Sequence, residues 1–307
     1  MKPIVVFIAG PTSSGKTDTA LSLARILKTE IISCDSMQVY KGMDILTHAP
    51  SDDILKEVKH HLVKFIPLEE EYNAVSFKSD AEKIIARLAK DGKIPIISGG
   101  TGLYMKILMD GIFEGADFNS DLRNSLEKRA EKEGGVALHD ELQKIDPVTA
   151  KKLFPNDVRR VIRALEVYHT TGTPMSEKKK DLKDIGIAGA YDCRMFGLSL
   201  ERNILYDRIN NSVDKMLGEW LVQAVERILK KTLSKTAAKA LGIKEIKAYL
   251  NGGWTLDKAV NELKKNTRHY AKRQLTWFRA EKKIKWLDAD KEPEKIAREI
   301  LGEIKII

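Results

Sequence analysis

Cysteine is scarce: Cys34 and Cys193 are the only two in 307 residues. They lie far apart and in no C-x-x-C pair, which excludes a disulfide scaffold and a zinc ribbon and suits a reducing compartment. Proline and glycine are also few, 9 and 20, so the chain is neither collagen-like nor a low-complexity linker. Long apolar runs are missing. The longest near the start, Ile4–Ala9 (IVVFIA), ends in Gly-Pro-Thr; it is too short for a signal-peptide core and far too short to span a bilayer. These absences predict a soluble, cytoplasmic chain with no membrane partner. His60 and His61 are adjacent, point apart on a strand and make a poor metal pair, so they are read as structural.

Against these absences stand 43% hydrophobic and 32% charged residues, a globular composition at a length that buries a core without staples. At about 100–200 residues per domain, two domains are expected. Lys and Arg total 53 against 44 for Asp and Glu, a net charge of +9. The excess is concentrated: between Lys264 and Lys283 eight cations face a single acid, Glu281. Arg268, Lys272 and Arg279 fall on one face of the predicted helix, with Arg273 beside them, and Tyr270, Trp277 and Phe278 are interleaved. Cations for phosphates with aromatics for stacking is a nucleic-acid combination; the alternative is a solvated basic face over an aromatic core stripe.

Ile4–Ala9 reads as a buried strand, followed by a glycine-bounded loop and a helix to about Lys28. Glu30–Ser33 and Ile94–Ser98 read as further strands, with a helix over Phe77–Lys90 between them. This alternation predicts a doubly wound α/β core with a parallel sheet covered on both faces. After Gly115 the pattern turns helical through residue 178, with Asp146-Pro147 as a cap and Asn156 as the expected cap of the next helix. Arg194–Leu200 returns to strand character. A long helix from Asp257 to about Lys283, a strand over Ile284–Leu287 and a helix from Pro293 close the chain. The expected organisation is a first part of the core at 1–115, a helical insertion at 116–190, and a return to the core with C-terminal helices at 191–307.

Gly10-Pro11-Thr12-Ser13-Ser14-Gly15-Lys16-Thr17 matches G-x4-G-K-[ST] between a strand and a helix. Such a loop turns backbone N–H groups toward phosphate oxygens; the helix N-terminus and Lys16 add positive charge, and Thr17 can hold Mg²⁺. The motif specifies a di- or triphosphate, not ATP. The third strand ends Ile97-Ser98-Gly99-Gly100, without the acid that nucleotide-hydrolysing relatives of this class place there. The acid at a nearby strand end is Asp35, which could serve as metal ligand, general base or turn cap. Thr101, in the run Gly99–Gly102, stands at a strand's carboxyl end, where open α/β sheets bind ligands.

Together these residues resemble the tRNA dimethylallyltransferase (tRNA isopentenyltransferase) family. The matching stretches are GPTSSGKT at 10–17, DSMQVYKGMDI at 35–45, GGTGLY at 99–104, NDVRRVIRALEV at 156–167, GIKE at 242–245 and TRHYAKRQLTWFR at 267–279. The resemblance implies a P-loop-type fold and transfer of a dimethylallyl group from its diphosphate to N6 of the adenosine 3′ of the anticodon. It makes Asp35 the catalytic base and gives Thr101 a role in positioning the adenine. Loop residues 10–17, Mg²⁺ on Thr17 and Arg208 would hold the diphosphate. It places Asp35, Ser36, Met37, Gln38, Thr101, Arg123, Arg159, Arg160 and Arg163 on the tRNA, and the basic helix with Arg268, Lys272 and Arg273 would join them. For Arg159 and Arg163 the alternative is helix-surface salt bridging.

One stretch departs from the family: at 209–225 members usually carry an arginine where Ser212 stands, a glycine at Trp220 and paired acids at Gln223-Ala224. Rival readings are a P-loop small-molecule kinase, an adenylate isopentenyltransferase acting on free nucleotides, and a non-enzymatic RNA-binding nucleotide switch. A monomer is the default.

Overall fold

The computed structural model describes residues 2–112, 120–178 and 186–305. The chain divides into two compact units, one of residues 1–109 and 190–307 and one of Asp110–Gly189. The expected boundary at 115–116 lies outside the described residues.

In the first unit, β1 (Ile4–Ala9) is followed by α1 (Lys16–Leu27), β2 (Ile31–Ser33), β3 (His60–His61), α2 (Ala74–Lys90), β4 (Ile96–Gly99) and α3 (Gly102–Asp110). β1 is buried from Val5 to Ala9, as a central parallel strand covered on both faces must be. Leu21, Leu23 and Ala24 of α1 pack on Val6, Ile8 and Ile96. β3 is a two-residue edge strand: it has no periodicity to betray it, and its pairing of Ile31 with His60 and Ile32 with His61 is a tertiary product. His61 Nε2 lies 2.6 Å from Glu30 Oε2, and His60 Nδ1 lies 2.7 Å from the Val58 carbonyl.

The second unit is helical. Ser120–Ile145 runs as two segments broken at Gly134, whose φ of 84° no helix admits. Asp146 accepts the Thr149 N–H at 2.9 Å and caps the short turn Pro147–Ala150. α4 (Val158–Thr171) turns Val161, Ile162 and Leu165 onto Leu126, Leu138 and Leu142. Its cap is Asp157 rather than Asn156. The Asp157 carboxylate lies 3.2 Å from the Arg160 guanidinium instead of bonding the helix N-terminus.

The chain then rejoins the first unit through β5 (Asp192–Ser199), α5 (Arg202–Gly218), α6 (Leu221–Leu229), α7 (Leu256–Arg279), β6 (Ile284–Asp288) and α8 (Pro293–Lys305). α7 stops at Arg279, short of Lys283, because the chain must turn before Ile284 pairs with Met195. α8 closes the core with Ile296 and Ile300 against α1 and the sheet.

All strands are parallel, in the order β3-β2-β4-β1-β5-β6. The chain leaves β1 toward β2 on one side and leaves β4 for β5 on the other, so β1 and β4 flank the switch point. Their register, Ala9 opposite Gly99, with Ser33 opposite Ser98, sets three loops side by side at the carboxyl edge. This is the doubly wound α/β core expected from the strand–helix alternation. Among the described residues no helix is long and apolar enough to cross a membrane.

Candidate active site

The loop from Gly10 to Thr17 leaves β1 and enters α1 at Lys16. Ser13 (φ 62°) and Gly15 (φ 86°) are left-handed, which bends the backbone into the concave form that presents N–H groups to an anion. Ser14 Oγ is buried and has no hydrogen-bond partner, an orphaned donor that a phosphate oxygen would satisfy. Lys16 Nζ donates to the Pro11 carbonyl at 2.5 Å. Burial lowers its pKa to about 8, against the opposing pull of Asp35's negative charge. The cradle therefore holds a desolvated ammonium within electrostatic reach of a carboxylate.

Asp35 follows β2. Its Oδ1 accepts the backbone N–H of Met37 at 2.8 Å and of Gln38 at 3.3 Å, a turn-capping geometry that fixes the carboxylate. No donor among the described residues holds Oδ2. Turn cap and reactive carboxylate are thus compatible, each using one oxygen. Thr101, after β4, reaches the same turn: its Oγ1 accepts the Ser36 N–H at 3.1 Å, and its own N–H donates to the Cys34 carbonyl at 3.2 Å. The Gln38 amide is committed to the fold, accepting from Ser33 Oγ at 2.9 Å and donating to the Thr47 carbonyl at 3.2 Å.

α7 covers this edge. Tyr270, Gln274 and Trp277 lie on one face of it, at i, i+4 and i+7. Burial, then the charge of Asp35, pushes the Tyr270 phenol well above its usual range. A side-chain carbon on Gly100 would collide with the Gln274 amide, and one on Gly102 with the Trp277 ring. The glycines of this run are therefore needed for close approach of the helix. Phe278 is fully buried. Of the aromatics read as base-stacking candidates, Phe278 thus belongs to the core, while Tyr270 and Trp277 are half-buried. Sequence reasoning missed Gln274; its signal was a polar residue in the middle of that stripe.

The basic residues of α7 divide. Lys272, Arg273 and Arg279 are exposed, with Arg273 5.8 Å from the Tyr270 ring centre. Arg268 instead turns inward, donating to Asn210 Oδ1 at 2.6 Å and standing 5.8 Å over the Tyr206 ring. Arg208 donates to the Ala289 carbonyl at 3.3 Å and to Asp290 at 3.0 Å, contacts beyond β6 rather than on the phosphate loop. Ser212 Oγ lies 2.6 Å from His48 Nε2. Trp220 is exposed and left-handed at φ 72°.

In the second unit Arg159 and Arg160 are exposed at the start of α4. Arg163 and Arg123 converge on Glu166, at 2.9 and 3.4 Å. Glu166 is fully buried and its Oε1 has no partner.

No group of three or more His, Cys, Asp or Glu side chains among the described residues could hold a metal by itself. The chemistry of the site still fits Mg²⁺, which commonly takes one protein oxygen, waters and substrate phosphates; the Thr17 hydroxyl at the start of α1 is the protein oxygen on offer.

The family model described as IPP transferase matches residues 38–281. A tRNA dimethylallyltransferase of Carboxydothermus hydrogenoformans is 44% identical over 310 residues, covering 99% of this chain and 98% of that one. The crystal structure of the full-length tRNA isopentenylpyrophosphate transferase of Bacillus halodurans is 39% identical, with a TM-score of 0.72 and coverage of 99% and 96%. A eukaryotic dimethylallyltransferase described as acting on tRNA is 28% identical, with a TM-score of 0.79 and coverage of 94% and 74%. With relatives at 44% and 39% identity over 99% of its length, the chain belongs to the IPP transferase family.

Proposed function

We infer that this chain transfers the dimethylallyl group of dimethylallyl diphosphate to N6 of the adenosine 3′ of the anticodon in tRNA. The observation that carries the reading is the pairing of a phosphate cradle with a carboxylate that keeps one oxygen free, Asp35 Oδ2, at the same sheet edge. An exocyclic amine on adenine is a poor nucleophile. As its nitrogen bonds to C1 of the prenyl group, the C1–O bond to diphosphate breaks and the N6 proton passes to Asp35. Thr101 braces the Asp35 turn through Ser36, and its hydroxyl would help position the adenine. The leaving diphosphate gathers charge, which the loop N–H groups and Lys16 stabilise without rearranging. Mg²⁺ on Thr17 would supply further positive charge to that leaving group. Arg208 can join only by leaving Asp290.

The adenine starts stacked in an anticodon loop and must be flipped out, at a cost of a few kcal/mol. Phosphate contacts from exposed Lys272 and Arg273 on α7, and from exposed Arg159 and Arg160 on α4, would offset it. A free mononucleotide would need neither set, which disfavours an adenylate isopentenyltransferase. A kinase is disfavoured by a β4 that ends in Ser98-Gly99 without an acid. Action in the cytoplasm as a monomer completes the reading.

The test is label transfer from dimethylallyl diphosphate to an anticodon stem-loop bearing that adenosine, beside reactions holding AMP instead of RNA, and ATP instead of the prenyl donor. Label on the stem-loop alone is expected. Label on AMP, or ATP consumption without prenyl transfer, would overturn the reading.

A further inference from the structure

Gln274 is 6% exposed, and both ends of its amide are engaged. Oε1 accepts the Thr12 N–H at 2.8 Å, and Nε2 donates to the Gly100 carbonyl at 3.0 Å. A backbone N–H can only donate and a carbonyl can only accept, so one orientation of the amide serves both. The side chain thus bridges the phosphate loop after β1 and the glycine run after β4, across the switch point of the sheet.

This bridge has a chemical consequence for the loop. In a G-x4-G-K-[ST] loop the ligand's donors are the backbone N–H groups. Here the N–H of Thr12, near the loop's start, is taken by the protein. The space between Thr12 and Gly100 is filled as well, since even a methyl group on Gly100 would strike the Gln274 amide. Lys16, the Ser14 hydroxyl and the N–H groups at the α1 end stay available. The cradle is therefore shortened from one side.

The geometry points to Gln274 as a specificity-determining residue that limits the loop to two phosphates by withholding the Thr12 N–H and occupying the place a third phosphate would take. This rests on reading the loop as the diphosphate site of the proposed reaction and adds the element that distinguishes a prenyl diphosphate from a nucleoside triphosphate. Gln274 acts through the loop and is a positioning residue.

The full chain is titrated calorimetrically with the magnesium salts of pyrophosphate and of tripolyphosphate, as wild type, Gln274→Ala and Gln274→Met. Wild type is expected to bind pyrophosphate more tightly. In Gln274→Ala the ratio of the two affinities should move toward tripolyphosphate by about tenfold, the worth of one freed donor to a charged group. Gln274→Met refills the volume without accepting from Thr12, so it should retain part of the discrimination, and it carries the test if the alanine variant does not fold. A residue that merely stiffens the loop would weaken both ligands equally; an unchanged ratio in the variants, or no preference in wild type, overturns the inference. Prenyl transfer by wild type is measured separately: its absence would refute the proposed reaction while the ratio still decides the role of Gln274.

Discussion

Thr101 Oγ1 accepts the backbone N–H of Ser36 at 3.1 Å, joining the loops that leave β4 and β2 and holding the turn that carries Asp35. Leaving a partly buried N–H without its acceptor costs about 1–3 kcal/mol. Thr101→Val keeps the shape and removes the acceptor. It should lower kcat for prenyl transfer by about tenfold or more while pyrophosphate affinity stays within about twofold, and Thr101→Ser should restore the rate. Steady-state kinetics with titration of pyrophosphate checks it; equal losses in rate and diphosphate affinity would mean the whole edge had collapsed.

The arginines of α4 separate by what they touch. Arg159 is exposed and makes no ion pair among the described residues, whereas Arg163 lies against the buried carboxylate of Glu166. Arg159→Ala should weaken stem-loop binding and reduce the slope of log K against log salt by about 1, with thermal stability unchanged. Arg163→Ala leaves the buried Glu166 carboxylate with Arg123 alone and should destabilise the chain by about 1–3 kcal/mol. Filter binding across a salt series and thermal melts distinguish the two. An Arg159→Ala variant that binds RNA normally would remove Arg159 from the proposed tRNA contacts.

Acid stability should report on Glu30. Burial raises its pKa, but hydrogen bonds from Arg87, His61 and Lys93 outweigh that and hold it at about 2. A folded pKa below the unfolded one contributes stability above the unfolded value, and that stability is lost as pH falls from about 4.5 toward 2. Glu30→Gln should lower stability at neutral pH and flatten this limb of the pH–stability curve. Urea melts between pH 7 and pH 2 measure it; parallel curves for the two proteins would remove Glu30 from the account.

Trp220 holds a left-handed conformation at the entry to α6 with its ring exposed. Glycine is the residue that adopts this φ without steric cost. Trp220→Gly should therefore stabilise the chain by up to about 1 kcal/mol, seen as a raised Tm. A lowered Tm would mean that the indole packs usefully.

Much of this was legible in the sequence, for physical reasons. β1 is continuously apolar because it is buried on both faces, and the glycine-bounded loop and Lys16 follow from what a phosphate cradle requires. Asp35 and Thr101 stood out as polar residues at strand ends. Other features depend on tertiary partners that local sequence does not encode. β3 is two histidines whose strand character comes from β2, and the break at Gly134 lies inside a helical pattern. Gln274 has a role only once Thr12 and Gly100 are placed beside it. The aromatics of α7 satisfied two patterns at once, and only the fold shows that Phe278 enters the core and Trp277 lies against Gly102. Arg268 stands in a basic cluster and Arg208 follows from the family resemblance, yet the structure turns them to Asn210, Tyr206 and Asp290.

The base assignment can be tested without disturbing the turn, because Asp35 Oδ1 and Oδ2 have separate tasks. Asp35→Asn can keep a carbonyl oxygen toward Met37 and Gln38 but cannot take a proton at physiological pH. Prenyl transfer from dimethylallyl diphosphate to the anticodon stem-loop should fall by about 10²–10⁴-fold, with stem-loop and pyrophosphate affinities within a few-fold of wild type. Turnover of Asp35→Asn at the wild-type rate would contradict the account.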